Sequence, residues 1–178
     1  MKLIIKIIRR IKMTVYTGKI EMQSKDHMPD FHNITEQVKK IVEDSGVKNG
    51  ICVVYSHHTT CSVMTQECSH DTTFFGREHL QQDLINIMER IVPTCRYEGQ
   101  YLHPGPKHID FALTFPDEEP KGSLNTDAHL RSCFFGRSET IVLTDGKLSL
   151  GDFGFIYFID WDQVRERKRV AEVQIIGE

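Results

Sequence analysis

The chain has 178 residues, long enough for one domain with a sizeable buried core. Hydrophobic residues at 39% and charged residues at 26% describe a globular protein and exclude a disordered one. A formal net charge of -3 and a pI near 6.3 exclude the basic footprint of a nucleic-acid-binding domain, so no nucleic-acid partner is expected.

The five cysteines are Cys52, Cys61, Cys68, Cys95 and Cys133. The count is odd, no pair has C-x-x-C spacing and no signal-peptide pattern is evident, so the expectation is reduced thiols in a cytoplasmic protein. Cys52 and Cys133 fall at expected core positions, where thiols simply pack. Among residues 1–12, Leu3, Ile4, Ile7, Ile8 and Ile11 recur at helical spacing, with Lys2, Lys6, Arg9, Arg10 and Lys12 around them. A basic amphipathic helix of this kind suits a membrane surface but is too short to span one. The simpler reading is preferred: residues 1–12 are an extension without membrane contact, and one domain occupies residues 13–178.

Thr14 to Met22 alternates and reads as a strand, followed by a polar turn at Pro29. Ile34 to Val42 has apolar residues at 34, 38, 41 and 42, which predicts an amphipathic helix capped by Asn33 or Thr35 and stopped by Gly46. Ile51 to Tyr55 reads as a buried strand that delivers Ser56, His57, His58, Thr59 and Thr60 to its far end. His57 and His58 are expected on opposite sides of that strand end, so only one should face a given pocket. Cys61 to Glu67 alternates again as a second strand. Phe75 to Ile91 reads as a helix with Leu80, Leu84, Ile87, Met88 and Ile91 as its apolar stripe, ended by Pro93.

Tyr101 to His108 carries two prolines around Gly105 and reads as a rigid loop, and Ile109 to Phe115 alternates like a strand. Asn125 to Gly136 predicts a helix of about two turns, capped by Thr126 or Asp127 and closed by Gly136 in a left-handed conformation. Strands are expected over Ser138–Thr144, Phe153–Ile159 and Arg169–Ile176, with a tight turn at Asp145-Gly146. No repeat or linker appears. Many strands and few helices give one α+β domain of packed antiparallel sheets.

The polar inventory is rich in imidazoles and carboxylates: His57, His58, Glu67, Asp71, His79, Asp83, His103, His108 and His129. Such groups suit a divalent metal, zinc through imidazoles or magnesium through carboxylates beside a phosphate. No strict metal motif, Walker A loop or G-x-S-x-G elbow is present. His79 and Asp83 share a helix face at i, i+4, which is more often an ordinary ion pair. His103 and His129 are the stronger candidates, because each is placed by a conformationally restricted segment. His129 and Ser132, three apart, are expected on one face. Arg165, Arg167 and Arg169 alternate, so one of them can clamp a phosphate or carboxylate.

His58-Thr59-Thr60, Glu67, Tyr101-Leu102-His103, Asn125 to Ser132, Gly136, Asp145 to Leu148, Gly151 and Ile176-Gly177-Glu178 together resemble the YjbQ family. The resemblance runs from about Met13 onward. It implies a compact α+β fold, a homotrimer and an activity described as secondary thiamine-phosphate synthase. It also implies a polar pocket of His58, Glu67, His79, His103, His129 and Ser132. This chain departs from the family in Phe153-Gly154 and in longer segments at Pro104 to His108 and Pro116 to Ser123, which would border the pocket.

The resulting expectation is an enzyme that displaces diphosphate from a phosphate-bearing substrate. His129, Ser132, Glu67 and His79 would be catalytic, and Arg167, Asp83 and Asn125 would bind substrate. His58, His103 and His129 would hold a divalent metal, magnesium or zinc. The competing expectation is a trimeric metal- or anion-binding protein that uses the same pocket without turnover.

Overall fold

The structure is a computed structural model that describes residues 12–116 and 118–178. The reading of the first dozen residues therefore lies, Lys12 apart, outside the described residues. Eight strands form two antiparallel sheets. The first sheet has the order β1 (Thr14–Gln23), β8 (Lys168–Gly177), β3 (Gly50–Ser56), β5 (Ser138–Thr144), β6 (Lys147–Leu148). The second has the order β2 (Asp30–Asn33), β7 (Gly154–Asp160), β4 (Cys61–Glu67).

The helices are α1 (Thr35–Ser45), α2 (His79–Ile91), α3 (Pro106–Ala112) and α4 (Thr126–Phe135), with a short 3-10 turn over Pro120–Ser123. This is one domain of the expected α+β class. Among the described residues, no helix is long and apolar enough to cross a membrane.

β7 organises the packing. Ile156 and Phe158 point into a core shared with Val54, Val63 and Val173, between the two sheets. Tyr157, Ile159 and Trp161 point the other way, against Met64, Met88 and Ala128, under α2 and α4. A strand covered on both faces needs a continuous apolar run, and Phe155 to Ile159 supplies one. Each fully buried side chain of this kind contributes about 1.5–3 kcal/mol of transfer free energy. Trp161 stacks on Phe135, with ring centroids 5.2 Å apart, and its Nε1–H donates to Ser62 Oγ at 3.0 Å.

α1 closes the core through Val38 and Val42. Asn33 Oδ1 accepts from the Thr35 N–H at 3.1 Å, and Gly46 ends the helix at φ 67, where a side chain would be strained. Asp145 and Gly146 both have positive φ, the pair of angles that the β5–β6 hairpin requires.

Several expectations need correction. The polar turn at Pro29 leads into β2, a four-residue strand whose mixed polar sequence hides its pairing with β7. α2 begins at His79 and not near Phe75. Thr72 and Glu78 form a bridge, and the Glu78 carboxylate accepts from the Ser69 N–H and the Tyr157 hydroxyl, which holds the chain extended there. The apolar stripe of α2 is split: Met88 is buried, whereas Leu80, Ile87 and Ile91 are exposed.

Residues 109–115 are not a strand. Pro106 occupies the first turn of α3, and the Leu113 N–H bonds to the Ile109 carbonyl at 3.0 Å. α4 has ten residues and no side-chain cap. Asn125 stands at its N-cap position, and Gly136 follows it with φ 78 and an extended ψ of 170. Cys133 is exposed, unlike the buried Cys52 and Cys61.

Candidate functional site

β3, β4, α3, α4 and the start of β8 surround one polar cleft of about 340 Å³. Four imidazoles line it: His57, His58, His108 and His129. Asn125, Asp162, Arg167 and Arg169 line it as well. The longer segments noted in the sequence supply His108, Glu118, Gly122 and Ser123, so they do border the pocket.

His57 and His58 both face the cleft, with ring centroids 4.1 Å apart, against the expectation that only one would. They follow Ser56, the last paired residue of β3, so the alternation of a pleated strand no longer governs them. The end of β3 also leaves the Val170 N–H of β8 without a strand partner, and it donates to His58 Nε2 at 3.1 Å. Burial, with Arg169 and His57 nearby, holds the His58 pKa down to about 4 against the opposing pull of Asp160.

His129 stands near the start of α4. Burial and then His103 lower its pKa, while Asp162 and the Thr59 backbone oppose that shift. His103 approaches from the rigid loop, with its ring 5.6 Å from that of His129 and 4.4 Å from that of His108. Burial and then His108 lower its pKa too. The Thr126 hydroxyl donates to the His103 carbonyl and ties that loop to α4.

The floor is an ion network. Arg169 Nε donates to Asp160 Oδ2 at 2.6 Å, and its Nη2 reaches Asp160 Oδ1 at 3.0 Å and Thr60 Oγ1 at 3.2 Å. Burial alone would lower the Arg169 pKa, but the Asp160 bonds outweigh it and raise the value. Burial pushes Asp162 up, with the Val164 N–H and Asn125 Nδ2 opposing; the Asn125 bond is 3.1 Å long. Arg167 Nη2 reaches Glu118 at 3.2 Å, and Arg165 also pairs with Glu118. Each arginine charge is thus answered by a carboxylate, and the shifts at His58, His103 and His129 all favour the neutral ring. Neutral imidazoles beside fixed donors can give or take a proton at ordinary pH.

Of the expected site residues, His58, His129, Asn125 and Arg167 meet in the cleft, and His103 stands directly behind His129. The others do not join them. Ser132 is buried and its hydroxyl donates to the Cys61 carbonyl at 2.7 Å, so it is not on the cleft face with His129. Glu67 lies at the opposite end of β4 from Thr60, about 20 Å along the strand, and lines a separate hollow with Glu139. His79 and Asp83 are exposed on α2. No three His, Cys, Asp or Glu side chains among the described residues stand in a geometry that could hold a metal ion. The proposed ligand set of His58, His103 and His129 therefore does not close within one chain, and the Val170 N–H already occupies His58 Nε2.

Reading the sequence missed Asp160 and Asp162. The one available signal was Asp-Trp-Asp directly after an apolar strand, where acidic groups at a strand end mark a rim.

The fold and the cleft together define a one-domain antiparallel α+β protein with a histidine-lined polar pocket at the end of its sheets. Residues 18–178 match the model of the family described as UPF0047 protein YjbQ-like, and the chain belongs to that family. It is 28% identical over 156 residues to a UPF0047 protein of Methanothermobacter thermautotrophicus, covering 88% of this chain and 90% of the relative. A UPF0047 protein of Methanocaldococcus jannaschii is 29% identical over 168 residues, covering 94% and 97%. Among solved structures, a YbjQ-like protein of unknown function from Sulfolobus solfataricus superposes with a TM-score of 0.70 at 28% identity. That match covers 94% of this chain and all of the other (100%). A YjbQ/UPF0047 protein from Clostridium acetobutylicum gives 0.63 at 29% identity, covering 88% and 98%.

Proposed function

We propose that the cleft is the active site of a small-molecule enzyme acting on a phosphate-bearing substrate, of the secondary thiamine-phosphate synthase type. The observation that carries this reading is the convergence of four imidazoles with Arg167 in one cleft, at the N-terminal end of α4. The helix terminus and Arg167 favour negative charge, and the imidazoles offer hydrogen-bond donors and proton acceptors.

In the proposed reaction, a pyrimidine methyl carbon loses diphosphate, which departs with the bonding electron pair. A thiazole nitrogen supplies the new pair to the same carbon. The chain would contribute Arg167 to the leaving diphosphate, and His129 as a hydrogen-bond donor to the departing oxygen. The His103 ring stands 5.6 Å from that of His129 and orders the wall behind it. Among the described residues no group is arranged to hold a metal ion, and the steps are assigned to this chain's own side chains. Magnesium carried in on a diphosphate would need no protein cage.

The reading includes a homotrimer in the cytoplasm. Support for self-association comes from Leu80, Ile87 and Ile91, exposed along α2. The five free cysteines suit a reducing compartment.

A second reading has one observation in its favour. Glu118, Asp160 and Asp162 are all engaged by arginines, which leaves no unpaired carboxylate in the cleft among the described residues. That suits a trimer that binds an anion without turnover.

Incubating purified protein with the pyrimidine diphosphate and the thiazole phosphate, and following product, separates the two. Product that disappears in His129→Ala supports the enzyme. Unchanged turnover in that variant removes the proposed site, and anion binding without product favours the binder.

A further inference from the structure

The Val170 N–H donates to His58 Nε2 at 3.1 Å. A backbone N–H can only donate, so this ring nitrogen carries a lone pair and not a proton. A neutral imidazole with an acceptor at Nε2 has its proton on Nδ1. The backbone therefore fixes the tautomer, just as the partner of one ring nitrogen sets the role of the other in any histidine. His58 sits on the cleft wall, and among the described residues its one side-chain hydrogen bond is the one from Val170. It has no alternative way to bond Val170 without turning this face of the ring away.

From this bond we infer that His58 is a substrate-binding donor: its Nδ1–H, turned to the cleft, receives an oxyanion, the phosphate or carboxylate of the ligand. Arg167 stands in the same wall. Its Nε–H has no acceptor within hydrogen-bonding reach, the nearest carboxylate oxygen being Asp162 Oδ2 at 3.7 Å. The site thus offers a neutral donor from one element and a cation from another. Oxyanion recognition then needs no charged histidine.

The inference deepens the proposed function, since it names the group that holds the substrate's anionic end, and it rests on that reading for the substrate. It also reassigns His58. A ring nitrogen that accepts from backbone is not free to ligate a metal or to act as a base, so His58 is set apart from the other imidazoles of the cleft.

Two substitutions separate the two ring nitrogens. His58→Gln keeps an acceptor near the position of Nε2 and loses the donor at Nδ1. His58→Asn keeps a donor near Nδ1 and loses the acceptor. The full chain, labelled with 15N, is titrated with inorganic phosphate and in parallel with acetate, and the imidazole nitrogens are followed by NMR. The expected result is an Nδ1–H tautomer for His58 before ligand is added, and a shift of that signal on titration. Affinity should fall roughly tenfold in His58→Gln and stay within about threefold in His58→Asn. A response to phosphate alone assigns a phosphate site, and a response to both assigns a general oxyanion site. An Nε2–H tautomer overturns the inference, and so does a His58→Gln protein that binds as the parent does, or a parent that binds neither probe. These readouts need no turnover. A confirmed tautomer and anion site without product would leave the inference standing and remove the enzyme.

Discussion

Arg131, in the middle of α4, caps the far end of α2: its Nε and Nη2 donate to the Val92 carbonyl at 3.1 and 2.7 Å. The side chain is fully buried, and Nη2 also meets Glu89 Oε2 at 2.6 Å, while Asp127 Oδ2 lies 3.7 Å from Nη1. One guanidinium therefore locks the two helices that cover the outer face of β7. Removing it leaves a buried carbonyl unpaired and Asp127 uncompensated. Arg131→Ala should lose about 3 kcal/mol of stability, read as a lower midpoint in urea unfolding. A loss under about 1 kcal/mol would show that the cap matters little.

The Arg169–Asp160 pair beneath the cleft is buried on both sides. Breaking it from one side should be far worse than removing it whole. Arg169→Met alone should cost about 3–5 kcal/mol, because the buried Asp160 carboxylate then loses its bonded cation. Arg169→Met combined with Asp160→Asn should recover a large part of that loss. A double variant as unstable as the sum of the two single ones would argue against this coupling.

His58, His103 and His129 all have pKa values below the ordinary histidine value. For His58 the folded value is about 4 against 6.5. Between those values the unfolded chain binds a proton that the folded chain does not. Stability therefore rises with pH across that window and falls as pH drops from about 6.5 to about 4. Below the folded value both states are protonated and the loss is complete. Denaturant midpoints measured from pH 7 to 4 should fall, and the fall should be shallower in His58→Gln. An identical slope in parent and variant would show that His58 does not report on this window.

Leu80, Ile87 and Ile91 lie at i, i+7 and i+11 on α2 and are 38%, 48% and 57% exposed. A helix presents such a stripe to a partner surface. Leu80→Glu with Ile87→Glu should reduce the sedimenting species from trimer to monomer without changing the far-UV spectrum. A parent protein that already sediments as a monomer would remove the trimer from the reading.

The strands that alternate cleanly were legible in the sequence. β1, β3, β4 and the three late strands fall within a residue or two of expectation, and β1 and β4 do so because their side chains alternate with a period of two. β7 was legible for another reason, as a short run of uniformly apolar residues. α3 was misread because Ile109, Phe111, Leu113 and Phe115 alternate, although Phe111 and Phe115 are in fact one helical turn apart with rings 5.3 Å from each other. Pro106 after Gly105 was the better clue, since proline favours the first turn of a helix. Of the site residues read from the sequence, His58, His129, Asn125 and Arg167 line the cleft, and Glu67 and Ser132 do not. Residue type gives the chemistry a group can do, but the direction of β4 carries Glu67 away and the rotation of α4 turns Ser132 inward. Neither vector is written in a short motif.

The place of β8 has a consequence for how the molecule is made. It lies between β1 and β3, so roughly 140 residues separate β1 from the strand that pairs with it along its whole length. During synthesis the earliest strand emerges long before its neighbour exists. At typical elongation rates that interval is on the order of ten seconds. The nascent chain must spend it with Ile20 and the faces of β3 exposed, and a holding chaperone would have its longest opportunity there.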